Sequence, residues 1–292
     1  MKKYFQIIIN IIMALITLCA LVPFLLLVIT SISSNDSIIR LGYSLIPKDF
    51  TLEAYAYIWK EKMQIFNAYG ITVCVTAIGT IIAIIMTLLY AYVLAKPSFP
   101  GKSFFSFYIF FTMLFNGGLV PTYIMYTNYL HIKNTILALI IPGLLLNAFN
   151  VILVRTYIQN NVPASLTEAA KIDGAGEFKI FARVVLPMAK PIIATVGLFI
   201  GVAYWNDWQN GLYYITDNRL YSTQQLLNNM MKNIQYLSSN SASAISSSAI
   251  ANIPQATVRM AIAVIGILPI LLIYPFVQKY FVKGIALGAV KG

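Results

Sequence analysis

Residues 204–210, Tyr204-Trp205-Asn206-Asp207-Trp208-Gln209-Asn210, place indole rings, amides and a carboxylate side by side near the end of an apolar run. Such a set can hold a ring that is apolar on one face and hydroxylated at its edge, as a sugar is. Trp and Tyr also gather at membrane interfaces, so an aromatic belt accounts for the same rings. The amides and Asp207 are costly against lipid and belong in a bundle interior or in water. If one helix ran through the stretch, Trp205 and Trp208 would point about 60° apart and share a face, with Asn206 and Asp207 on its borders. Asn147 and Asn150 pose the same question in an earlier apolar run. The candidate substrate-path residues are therefore Trp205, Asn206, Asp207, Trp208, Asn147 and Asn150, with structural or gating work as the other reading.

No reactive constellation assembles elsewhere. His131 is the single histidine, Cys19 and Cys74 lie in apolar runs where a free structural thiol is expected, and no metal-ligand spacing is present. Pro100-Gly101-Lys102-Ser103 matches the end of a phosphate-binding loop, but Lys96 stands where that motif needs glycine and no strand precedes it. The chain is expected to have no catalytic residue, no metal and no cofactor of its own.

The elements that must position these residues are apolar. The 292 residues are 59% hydrophobic and 10% charged, with mean hydropathy +0.78, whereas a soluble domain carries about 25% charged residues. The expectation is an all-α, polytopic membrane bundle with six transmembrane helices, at about Tyr4–Thr30, Ala68–Ala95, Ser103–Tyr126, Thr135–Val154, Ile192–Tyr214 and Thr257–Phe281. The first run is too long for the core of a signal peptide and reads as a retained span. Asn116-Gly117-Gly118, Pro121, Pro142, Pro269 and Pro275 interrupt these runs, which is tolerable where neighbours satisfy the freed backbone groups. With both termini cytoplasmic, most of the 20 Lys and Arg fall on inner segments, so the net charge of +11 is a topology signal and not a sign of nucleic acid. The outer segments are then 31–67, with a short amphipathic helix near Thr51–Lys62, and 214–256, whose Ser-rich centre reads as a mobile linker or a contact for an external partner.

One inner loop is too patterned for a linker. Ser165 to Pro187 opens with a possible capping box, Ser165 with Glu168. A short helix to Asp173 follows, broken by Gly174 and Gly176. A second short helix from Glu177 has Phe178, Phe181, Val184 and Val185 at helical spacing. This is a helix-turn-helix tied at both ends to membrane helices.

Glu168-Ala169-Ala170, three residues, Gly174, nine residues, then Val184-Val185-Leu186-Pro187 resembles the EAA loop of bacterial ATP-binding cassette importer permeases. Val184 stands where that motif often has Ile. The segments Gly42–Pro47 and Phe115–Tyr123 and the tail 282–292 are similar to the maltose-importer type, in the branch associated with complex oligosaccharides. The resemblance implies a single permease domain over 1–292 with its core at about 68–281, in the bacterial cytoplasmic membrane. It implies a heterodimer with a second, homologous permease, a cytoplasmic ATPase dimer that holds ATP and Mg, and an extracellular solute-binding lipoprotein that delivers the sugar. The ATPase-coupling residues it implies are Glu168, Ala169, Ala170, Asp173, Gly174, Phe178, Leu186 and Pro187, and the tail would insert between the ATPase subunits. The alternatives are a secondary carrier or channel, which needs no such loop, and a membrane-embedded enzyme, for which only Asp207 offers a reactive group.

Overall fold

The computed structural model describes residues 2–47, 49–60, 62–240 and 255–289. Most of the Ser-rich centre of the expected outer loop and the last residues of the tail lie outside them. The regular structure of the described residues is helical, apart from one isolated antiparallel bridge between Ser33 and Phe50. The chain divides into two compact units, residues 1–66 with 226–272, and residues 67–225 with 273–292.

In the first unit, α1 (Lys2–Ser31) is apolar around its circumference, and its large side chains from Tyr4 to Val28 are mostly exposed. A helix apolar on every side suits hydrocarbon rather than water. Its end is tied to α3 (Glu53–Trp59) by the Ser31 and Tyr55 hydroxyls at 2.8 Å, after the short α2 (Asn35–Leu41). The buried residues of α3 are Ala54 and Ile58, while Leu52 and Trp59 are exposed. Ala54 and Ile58 pack with Leu227, Val258, Ala261 and Ile262.

The second unit is built on α4 (Lys62–Ala95) from Asn67 onward, and the helix begins six residues before the expected second span. It packs on α12 (Lys190–Trp205) through small residues. A Cβ at Gly79 would sit 2.5 Å from the Tyr204 ring, and one at Gly197 would sit 3.0 Å from Ile84. This close approach is what small residues allow between apolar helices.

The remaining expected spans are broken in characteristic places. The third is α5 (Lys102–Leu114) and α6 (Leu119–Ile124), the latter running into a π-helical turn, Met125–Tyr129, with a 113° bend at the break. Gly118 has φ +87°, and Asn116 Oδ1 accepts from its N–H at 2.8 Å. The fourth is not a continuous helix. Only α7 (Leu137–Ile140) forms before Pro142, and α8 (Ala148–Asn161) starts afterwards. Proline has no N–H to give and disfavours helical backbone in the residue before it, and Gly143 then takes φ +71°.

The fifth expected span ends early. α12 stops at Trp205, and α13 (Gln209–Tyr214) begins after a turn. In the expected outer loop, α14 (Thr223–Asn240) is a long amphipathic helix, with Leu226, Leu227, Met230, Met231 and Ile234 at helical spacing where a loop was expected. The sixth run lies in α15 (Gln255–Ala289). Among the described residues two helices are long and apolar enough to cross a membrane, or four if each bent pair counts as one span.

Candidate functional site

The patterned inner loop folds as two helices joined by a tight turn. α9 (Ala164–Ile172) starts one residue before Ser165, with Pro163 at its N-cap. The capping box does not form: Pro163 fixes the entry, Ser165 is inside the first turn, and the N-cap makes no side-chain hydrogen bond. At the other end the Gly174 N–H donates to Lys171 O at 3.0 Å and the Ala175 N–H to Ala170 O at 2.9 Å. This pair of bonds is a Schellman motif, and it requires the left-handed φ of +76° found at Gly174. Gly176, expected to share that role, is extended at φ −66° and serves as the N-cap of the next helix.

That helix is α10 (Glu177–Ile180), a π-helical turn at Phe181–Val185, and α11 (Leu186–Met188). It meets α12 at 82° across Ala189. Ile180, Phe181 and Val185 are buried. The Met188 carbonyl accepts from the Tyr157 hydroxyl of α8 at 3.4 Å.

The outward side of the loop carries two large apolar side chains among exposed charged ones. Ile172 is 86% exposed and Phe178 78%, one on either side of Gly174. Around them Glu168, Ala169, Asp173, Gly174 and Pro187 are exposed, while Ala170 and Leu186 are half-buried. The eight expected coupling residues thus occupy one surface loop, and the large apolar side chains at its tip have nothing over them among the described residues.

Glu177, which the motif did not point to, holds the loop to α4. Its Oε2 accepts from the Tyr92 hydroxyl at 2.8 Å and from the Lys96 ammonium, and its Oε1 lies 3.5 Å from Lys171 Nζ. The donors Lys96 and Tyr92 hold the Glu177 carboxyl down to about 2, from an ordinary 4.5. No sequence signal marked this contact, because Lys96 and Glu177 are far apart in the chain.

The second candidate set is dispersed. Trp205 ends α12, buried, 6.4 Å from the Tyr69 ring, while Trp208 is 39% exposed beyond the break. The shared helical face expected for the two indoles does not exist, since the helix stops between them. The physical cause is Asp207, whose Oδ1 accepts from Gln209 N at 3.1 Å and Asn210 N at 3.2 Å and so starts α13 afresh. Asn206 is exposed, its amide turned back to Val202 O at 3.0 Å. Asn147 caps α8 through Asn150 N at 3.3 Å, and the Asn150 side chain is buried.

Two residues of this region have a backbone task instead. The Tyr204 hydroxyl donates to Ile140 O at 2.8 Å, and Asn210 Nδ2 donates to Pro142 O at 3.0 Å. These are carbonyls left open by the break after α7. Asn210 is buried, one of the two surroundings, interior or water, expected for it.

A surface helix-turn-helix between apolar helices matches a known arrangement. The family described as binding-protein-dependent transport system inner membrane component matches residues 91–287. The chain belongs to that family. The permease is therefore a multi-pass protein of the cytoplasmic membrane. It is 35% identical over 292 residues to the polygalacturonan/rhamnogalacturonan transport system permease protein YtcP of Bacillus subtilis (strain 168), covering 100% of this chain and 99% of that one. It is 28% identical over 290 residues to the melibiose/raffinose/stachyose import permease protein MelC of the same organism, covering 98% and 96%. Its fold matches, with a TM-score of 0.79 and 30% identity over 96% of this chain and 97% of the other, a chain in the crystal structure of a bacterial ABC transporter involved in the import of the acidic polysaccharide alginate.

Proposed function

We propose that this permease is one half of the membrane channel of an ATP-driven importer of oligosaccharides, with six spans and both termini in the cytoplasm. A second, homologous permease completes the path. A cytoplasmic ATPase dimer binds ATP and Mg and docks on the loop 165–187, and an extracellular solute-binding lipoprotein delivers the sugar. This chain carries out no covalent chemistry. ATP closure of the ATPase draws the loop inward and tips the spans toward an outward-open state.

The observation that carries the reading is the exposed apolar tip, Ile172 and Phe178 around the left-handed Gly174, on a loop bonded to α4 and α8. Large side chains at that exposure favour a protein partner over water. The cargo follows the relatives, whose names specify polygalacturonan and rhamnogalacturonan, melibiose, raffinose and stachyose, and the acidic polysaccharide alginate. Oligomers that carry carboxylates stand first, since polygalacturonan and alginate are both acidic. Within the path, Asn206 and Trp208 remain the sugar-facing candidates, while Trp205, Asp207, Asn147 and Asn150 shape the helix ends around them.

The test is purification of the permease with its partners, followed by reconstitution with the binding protein. An ATPase should co-purify, and labelled uronate oligomers should be taken up only with ATP. Uptake driven by an ion gradient without any ATPase would replace this reading with that of a secondary carrier. Uptake of neutral galactosides in preference to uronate oligomers would correct the cargo alone.

A further inference from the structure

Glu177 and Phe181 lie four residues apart on the second coupling helix and present one face; Tyr92 lies in the last turn of α4, and Lys96 follows directly after it. The two segments interlock. Glu177 accepts from Tyr92 at 2.8 Å and from Lys96. The Phe181 and Tyr92 rings are 5.1 Å apart, and the Lys96 ammonium sits 4.2 Å over the Tyr92 ring. Lys171 of α9 reaches the other Glu177 oxygen at 3.5 Å. Among the described residues, the side-chain hydrogen bonds from α9–α11 to α4 all end on Glu177.

The loop has a natural joint on each side of this contact. One is the Gly174 turn, and the other is the 82° bend at Ala189. A push delivered at Ile172 and Phe178 would be absorbed at such joints unless the segment between them were tied to a span.

We propose that Glu177 is the positioning residue that straps the coupling loop to the inner end of α4, so that loop and span move as one body. The inference rests on the reading above, in which the loop docks on an ATPase. The strap stays closed through the cycle, and the segment from Glu177 to Phe181 keeps its place on α4.

The experiment uses the full complex in proteoliposomes, with binding protein and a labelled oligosaccharide. Glu177→Gln and Lys96→Met should leave the ATPase bound and hydrolysing, while sugar moved per ATP falls about tenfold, the scale of one lost charge-assisted hydrogen bond. A role in folding alone would lower the yield of complex and leave that ratio unchanged. In a chain with Cys19→Ala and Cys74→Ala, the pair Lys96→Cys and Glu177→Cys should be impaired, then restored when a short bis-maleimide joins the two thiols. A normal ratio in both neutral variants overturns the strap, as does a cross-link that blocks transport, since the contact would then have to open. Phe178→Ala separates the two ideas. If it leaves ATPase binding and transport intact, the docking reading fails and the strap with it. If it releases the ATPase while Glu177→Gln transports normally, the strap alone fails.

Discussion

Gly174 and Gly79 are both constrained, for opposite reasons. A side chain at Gly174 would meet nothing within 4 Å, so its cost is the left-handed backbone alone, about 1–3 kcal/mol for most residues. Asn tolerates that conformation. Gly174→Leu should therefore abolish transport with the protein still in the membrane, while Gly174→Asn should transport; equal loss in both would place the requirement on size at the docking surface. At Gly79 the backbone is helical and the space is absent, because the Tyr204 ring fills it. Gly79→Ala should cost about 1–3 kcal/mol by overpacking, read as a lower unfolding temperature of the detergent-purified permease. At Glu177 the folded carboxyl titrates at about 2 against 4.5 when released, so its contribution is complete above 4.5 and is lost as pH falls from 4.5 through about 2. Hydrogen exchange of residues 171–181, corrected for intrinsic rates, should stay flat across about pH 5–8 and rise only in that acid window.

At the scale of elements, the broken helices share one solution. A break inside an apolar bundle frees carbonyls that water cannot reach, and side chains of the next helix must take them up. Tyr204 and Asn210 do this for Ile140 and Pro142, across the end of α7. Nearby, the Asn134 backbone N–H donates to Tyr214 O at 3.0 Å, and its side-chain Oδ1 accepts from Thr216 N, so this residue closes the end of α13. Tyr204→Phe keeps the ring against Gly79 but strands the Ile140 carbonyl, at a cost of about 1–3 kcal/mol. The expected outcome is lower thermal stability without loss of assembly. An unchanged unfolding temperature would mean that another donor replaces the hydroxyl. The π-helical turn at Phe181–Val185 lies shortly before the 82° bend at Ala189.

For the whole molecule, the two-sided distribution of charge and the one-sided coupling loop make an orientation that can be measured. With Cys19 and Cys74 replaced, a cysteine placed at Lys171 should react with a membrane-impermeant thiol reagent only from the cytoplasmic side. A cysteine at Arg219, which pairs with Asp217 on an exposed turn, should react only from outside. Labelling of both from the same side would overturn the six-span topology, since an even number of crossings would then separate them.

Composition alone established a helical membrane protein, and the Glu168–Pro187 pattern located a loop of two short helices about a glycine turn. Both signals are local: hydropathy adds residue by residue, and a left-handed turn needs glycine at one position. Helix ends inside the spans were not legible: the expected fourth span ran through Pro142 and the fifth through Asp207, whose Oδ1 accepts from the Gln209 and Asn210 N–H groups of α13. That is why Trp205 and Trp208 looked like one face and are not. The strap at Glu177 and the donors from Tyr204 and Asn210 join residues 64 to 85 positions apart. Neither partner in such a contact carries a periodicity or a motif. Only packing α4, the broken fourth run and α12 together gives each buried carbonyl and each carboxylate its donor, because an unpaired polar group there costs more than the bond that satisfies it.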